Sequence, residues 1–286
     1  MLMEALTLHT QDGLTLAARG YGPSDGVVVR RAVIIGPALG VPQRFYEHYA
    51  HWLAAHGCAV YTVDWRGIGD SAPSDMRRFR ARLSDWPTQD APAIMDLVAS
   101  RHPGLPISWF GHSMGGILYG LMPQLPQIDH VVTLGSGSGL KHHLARPLRY
   151  AMGLFWHVIV PLNVARYGYF AGQRYNMVAD LPKGIVGQWK RWCTHPDFID
   201  RDGPHVRAAY AAVTQPITAV VFTDDEMASF AGIKAVHERY LNASVRYLHL
   251  SPRALGLGRV GHFDFFHRRT GPRGWAMSLD WLGVTP

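Results

Sequence analysis

The sequence predicts a mostly parallel α/β sheet covered by helices on both faces and opened by an antiparallel hairpin. Three observations carry this. Short, largely apolar runs alternate with segments of helical period. An Asp12-Gly13 turn signal separates two runs of partial apolar/polar alternation near the start. One strand-like run leads at once into Gly111-His112-Ser113-Met114-Gly115 and a helical segment. At 286 residues the chain suits one large domain, or one domain carrying a sizeable insertion.

In order, residues 4–8 and 14–21 read as the two hairpin strands, and residues 22–26 as a loop. Residues 32–35 are all apolar, as in a strand covered on both faces, and run into Gly36-Pro37-Ala38-Leu39-Gly40. Residues 42–56 turn helical, with Phe45, Tyr49, Trp52 and Leu53 at three- and four-residue spacing. The strand at 59–63 ends in the loop from Asp64 to Ser71, and after an Arg-rich connection residues 91–99 are helical. The Ser113 strand follows, then a helix from Met114 and a strand at 128–134. From 140 to 213 the rhythm breaks into aromatic-rich helical pieces punctuated by Pro161, Pro182, Pro196 and Pro204. A strand at 217–222, a helix at 230–240, a strand at 245–250 and a helix at 275–282 close the chain.

Composition narrows the function classes. Apolar residues at 48% and charged residues at 17% are ample for a buried core and exclude a disordered chain. The net charge is +7, but the basic residues are mostly single arginines without a nucleic-acid motif, so the charge reads as a solvated basic surface. Cys58 and Cys193 stand far apart, with no CxxC spacing for a disulfide framework or zinc site. MLMEALTLHT has neither a basic n-region nor an apolar h-region, so the expected location is cytoplasmic. The apolar run 151–160 is too short to span a bilayer. Whether the chain forms a homo-oligomer is left open.

Ser113 is the expected nucleophile. The turn from strand to helix is so sharp that the residues two before and two after it have no room for Cβ atoms. The Met114 N–H then points where an oxyanion would form. A second donor is expected from the Gly36-to-Gly40 loop; Pro37 has no N–H, which leaves Ala38 or Leu39. A serine hydroxyl needs a base oriented by an acid, and on such a sheet the order is serine, acid, histidine. Thr223-Asp224-Asp225-Glu226 follows one late strand, and Gly261-His262 follows the last. Asp225, three residues past the strand end, is the preferred acid, with Asp224 the alternative; the other carboxylates are expected to cap the next helix. His262 is the expected base: His249 lies inside a strand, and His267 precedes two arginines.

These pieces resemble the α/β-hydrolase superfamily over nearly the whole chain. The matching motifs are the Gly36-to-Gly40 loop, Asp64-x-Arg66-Gly67-x-Gly69-x-Ser71, Gly111-His112-Ser113-Met114-Gly115-Gly116, Phe222-Thr223-Asp224-Asp225 and Gly261-His262. The resemblance is nearest to the lysophospholipase or monoacylglycerol-lipase-like branch, and a serine nucleophile separates it from the dehalogenase and epoxide-hydrolase branches. It implies a Ser113–Asp225–His262 triad on an α/β-hydrolase core (1–139 and 214–286) with a helical lid inserted at 140–213. The chain departs from the family at Gly36-Pro37, where His-Gly is usual.

The expected activity is hydrolysis of a small-molecule carboxylic ester with an apolar acyl or alcohol part, through an acyl-enzyme and without metal or cofactor. An acyltransferase on the same residues and a non-enzymatic ligand-binding protein are the alternatives. The lid aromatics, among them Phe155, Trp156, Tyr167, Phe170, Trp189 and Trp192, serve equally as pocket walls or as the lid's own core. Gly256-x-Gly258-x-x-Gly261 opens no helix, so its glycines serve to bend the chain towards His262 and hold no dinucleotide. His48 with His51, and His142 with His143, lack a third metal ligand at suitable spacing. The Asp64-to-Ser71 loop reads as structural, held by Arg66 and Asp70.

Overall fold

The computed structural model describes residues 2–23, 27–123 and 126–284. Its spine is an eight-stranded sheet formed by β1 (Leu2–His9), β2 (Thr15–Gly22), β3 (Arg31–Gly36), β4 (Cys58–Val63), β5 (Ile107–His112), β6 (Ile128–Leu134), β7 (Ile217–Phe222) and β8 (Val245–Leu250). The spatial order is β1-β2-β4-β3-β5-β6-β7-β8. β1 and β2 pair antiparallel, as do β2 and β4; every other pairing is parallel. This is the expected α/β-hydrolase architecture. The hairpin turn closes on Gly13 at φ 83°, a left-handed value that glycine reaches without strain.

Every residue of β3, β4 and β5 is buried, which explains their unbroken apolar runs. Alternate residues feed opposite layers. Ala32 and Ile34 of β3 face the layer of α2 (Ala91–Arg101), whereas Val33 and Ile35 face that of α1 (Glu47–Ala55). Several of the expected helices are shorter or broken. The stretch expected as one helix from 42 begins with a tighter turn at Gln43–Tyr46 before α1. After the Ser113 turn, α3 (Met114–Ile117) lasts barely one turn.

Between β6 and β7 the chain is helical: α4 (Arg146–Leu154), a wide π-type turn (Phe155–Ile159), α5 (Val160–Tyr167), α6 (Lys183–Cys193) and α7 (Pro204–Ala212). One isolated bridge, Phe170 to Leu181, interrupts it. The aromatic cluster here packs mostly on itself. Trp156 stands edge-on to Trp189 at 4.7 Å, Phe155 lies 5.8 Å from Phe170, and Trp192 lies 6.3 Å from Phe198. α8 (Phe230–His237) follows β7, and α9 (Gly271–Trp275) with α10 (Met277–Trp281) replaces the single closing helix expected at 275–282. Both cysteines are free and buried, Cys58 at the start of β4 and Cys193 at the end of α6.

Candidate active site

The Ser113 turn sits at the carboxyl end of β5, with β3 on one side and β6 on the other. Ser113 has φ 50° and ψ −114°, a backbone state rare for any residue with a side chain. Its surroundings leave it no alternative. A Cβ added at Gly111 would lie 2.4 Å from the Gly116 Cα, and one at Gly115 would lie 2.1 Å from the Gly36 carbonyl oxygen. The crowding inferred from the glycine spacing is therefore specific: helix α3 is pressed onto β5 and onto the loop after β3. The Ser113 N–H donates to the Leu134 carbonyl at 2.8 Å, which ties the turn to the end of β6.

The acid loop after β7 divides its carboxylates between two tasks. Both Asp225 oxygens face His262 Nδ1, at 2.9 and 3.0 Å, and both side chains are only 2% exposed. Asp225 Oδ1 also accepts the N–H groups of Met227 and Ala228, each at 2.8 Å, so this carboxylate is fixed from two directions. Asp224 does something else. Its Oδ2 accepts the N–H groups of Val260 at 2.9 Å and Gly261 at 3.0 Å, strapping the histidine loop to the acid loop. Glu226 points towards Arg259, 3.9 Å away. The expectation that the spare carboxylates cap the following helix is thus corrected: Ser229 caps α8, its hydroxyl accepting the Gly232 N–H. Gly261, at φ 55°, makes the bend that delivers His262.

Gly135 shows how close the parts stand. A Cβ there would lie 3.0 Å from His262 Cε1 and 3.1 Å from Asp225 Oδ2, while the preceding residue, Leu134, holds the Ser113 N–H. Among the hydrogen bonds of the described residues there is none between Ser113 Oγ and the imidazole. Such contacts commonly tighten only when substrate is bound.

Beneath these groups runs a buried chain of hydrogen bonds. The Ala38 N–H donates to Tyr46 Oη at 2.9 Å, and Tyr46 Oη lies 2.9 Å from His112 Nδ1. His112 Nε2 in turn lies 2.9 Å from the His262 carbonyl oxygen. Burial, reinforced by the neighbouring His262, holds the His112 pKa well below the usual histidine value, so the ring is neutral. One consistent arrangement follows: Tyr46 donates to Nδ1, and Nε2–H donates to the carbonyl. The Ala38 N–H, one of the two donors expected from this loop, is thereby committed to Tyr46. No spacing signal in the sequence marks Tyr46 or Asp224 for these tasks; His112 could have been singled out only as a polar residue ending an otherwise apolar strand.

The Asp64-to-Ser71 loop is structural, with one detail changed. Arg66 is buried between Asp12 and Asp90, with Nε 2.6 Å from Asp90 Oδ1. Asp70 contributes its backbone N–H, which donates to Asp64 Oδ2 at 2.9 Å; its side chain faces Arg19. Beside this loop a cavity of about 420 Å³ opens against residues 169–180, lined by Asp75, Arg77, Tyr169, Gln173 and Asp180 among others. Ser113 and His262 are not in its wall. Its connection to the site runs through Ala179, whose N–H donates to the Gly40 carbonyl at 2.9 Å.

A parallel sheet with a strained serine turn at the end of β5 and a late His–Asp pair across the neighbouring strand ends defines an α/β hydrolase. A family model described as serine aminopeptidase, S33, matches residues 28–241, and the chain belongs to that family. A monoacylglycerol lipase from Mycolicibacterium smegmatis is 39% identical over 72 residues, which is 25% of this chain and 24% of that protein. The match therefore spans about a quarter of the lipase's length. Among solved structures, an esterase from Pyrococcus furiosus is 15% identical with a TM-score of 0.62, covering 99% of this chain and 91% of the other. An α/β serine hydrolase without a lid from Xanthomonas campestris is 15% identical with a TM-score of 0.54, covering 99% and 97%. At these identities the likeness bears on the fold.

Proposed function

We propose that the chain hydrolyses a carboxylic ester with an apolar acyl or alcohol part, using Ser113, His262 and Asp225. The carrying observation is the Asp225–His262 pair: with Nδ1 held by both carboxylate oxygens, Nε2 is the nitrogen left for the serine turn. In this reading Ser113 Oγ attacks the ester carbonyl carbon as His262 Nε2 takes its proton. The Met114 and Leu39 N–H groups receive the oxyanion. The C–O bond to the alcohol breaks, and the alcohol leaves with the proton from His262. Water, deprotonated by the same imidazole, then releases the acid and restores Ser113.

Apolar chemistry at the site supports the substrate class. The oxyanion positions carry the side chains of Leu39 and Met114, both buried, and Phe263 stands edge-on to His262 with ring centroids 4.9 Å apart. The segment 140–213 is read as a lid over this site. An aminopeptidase needs a carboxylate for the substrate ammonium, and two of the insert's carboxylates are engaged. Asp200 binds Arg207 and Arg239, and Asp202 binds Gln188, Arg191 and Trp192.

The test is a panel of p-nitrophenyl esters of graded acyl length beside aminoacyl anilides, assayed on wild type and Ser113→Ala. The reading expects ester cleavage that depends on chain length and vanishes in the variant. Highest activity on small charged substrates, indifferent to chain length, or on the anilides, overturns it.

A further inference from the structure

The outer face of the helix from α4 through α5 gathers exposed large apolar side chains. Tyr150 is 75% exposed, Leu154 58%, Val158 43% and Leu162 65%, with Ile159 beside them at 40%. These four recur at every fourth residue. In a regular α-helix that spacing drifts steadily around the axis, but the wide turn at Phe155–Ile159 takes up more residues per turn and keeps the stripe on one side. The opposite side of the same helix buries Phe155, Trp156, Val160 and Asn163, so the element is anchored by its inner face.

Charge singles out the same region. Residues 140–179 hold no Asp or Glu, yet carry Lys141, Arg146, Arg149, Arg166 and Arg174. At the far end, Gly168 packs on the Arg77 side chain, which brings the Arg-rich loop of Arg77, Arg78, Arg80 and Arg82 alongside. At the far end Asp75 lies 3.4 Å from Arg78 and Asp180 accepts the Gln173 N–H at 3.1 Å, while at the near end Glu226 lies 3.9 Å from Arg259. An exposed apolar stripe flanked by basic residues, on a helix that is not long and apolar enough to cross a bilayer, has the chemistry of an interfacial helix.

We propose that this face docks on an anionic lipid surface, with Tyr150, Leu154, Val158 and Leu162 entering the headgroup–acyl boundary and Arg146 and Arg166 meeting lipid phosphates. The charge complementarity favours an anionic bilayer over a second copy, since two basic faces of this chain would repel.

Vesicle sedimentation of the full chain tests this, with phosphatidylcholine vesicles against an equal mixture of phosphatidylcholine and phosphatidylglycerol. Wild type is expected to partition at least about tenfold more strongly onto the anionic mixture, and less at high salt. Leu154→Glu with Leu162→Glu is expected to lower that partition by about tenfold or more, and Arg146→Glu with Arg166→Glu by a similar factor. Circular dichroism of each variant confirms that the exposed changes leave the fold intact. Wild type that stays in solution with both vesicles overturns the proposal, as does binding indifferent to either double variant. Dimers in sedimentation velocity that the leucine variants dissolve, without lipid binding, assign the face to a second copy and also overturn it.

Discussion

The strand-end rim and the helical insert solve opposite problems. At the rim, loops from β3, β5, β6, β7 and β8 are pinned to one another by single atoms with no clearance: Gly115 against the Gly36 carbonyl, Asp224 against two N–H groups, His112 between Tyr46 and the His262 backbone. The insert is held by an aromatic cluster and a few polar ties, and turns a long apolar face outward. Geometry that must be right to a fraction of an ångström is built from backbone contacts. A surface that must meet varied or soft partners is built from side chains that can repack.

The largest test of this contrast is Ser113→Ala. It is expected to lower kcat for ester hydrolysis by about 10⁴-fold or more while leaving stability within about 1 kcal/mol of wild type. Next come the adjacent carboxylates. Asp225→Asn is expected to cost about 10⁴-fold in kcat through loss of imidazole orientation. Asp224→Asn, which weakens only the strap to Val260 and Gly261, is expected to cost about tenfold together with about 1–3 kcal/mol of stability. Steady-state kinetics with urea unfolding separates the two, and equal kinetic losses would erase the division of labour.

A pH titration of stability is the third test. Burial lowers His237 to a pKa of about 4 and holds His112 below its usual value. Both rings are neutral in the folded chain, while the unfolded chain takes up protons below about pH 6.5. Their contribution is therefore complete above that pH and is lost as pH falls. For His237 the loss approaches about 3 kcal/mol by pH 4. His237→Gln is expected to flatten this part of the unfolding profile; an unchanged slope would remove His237 from the account. The smallest effects distinguish the glycines. Gly115→Ala drives a methyl into the Gly36 carbonyl and is expected to destabilise by about 1–3 kcal/mol. Gly187→Ala, in α6 with open space around it, is expected to stabilise by about 0.5–1 kcal/mol, as measured by thermal melts.

The middle of the sheet was legible because β3, β4 and β5 are short and buried on both faces, so the largely apolar runs at 32–35 and 59–63 stand out from their flanks. The serine turn was legible because crowding leaves only glycine at fixed positions beside it. What stayed hidden lies in contacts between residues far apart in sequence. Neighbouring carboxylates differ in task only because the 260–261 backbone comes within reach of one and the imidazole within reach of the other. Ala38 and Leu39 are equivalent on paper until Tyr46 occupies one N–H. The insert's aromatics are equally mute, because the same residues pack a core or wall a pocket depending on helix orientation.

The placement of the two thiols has a practical consequence. Cys58 lies within the sheet and Cys193 in the insert, where a Cβ added at Gly139 would lie only 2.4 Å from the Cys193 sulfur. Burial raises the Cys58 pKa to about 11 and also pushes Cys193 upward, so neither reacts until its own neighbourhood opens. Each sulfur is thus a built-in clock for one region. Labelling rates followed by intact mass on Cys58→Ala and Cys193→Ala read how often the sheet and the insert breathe, each without the other.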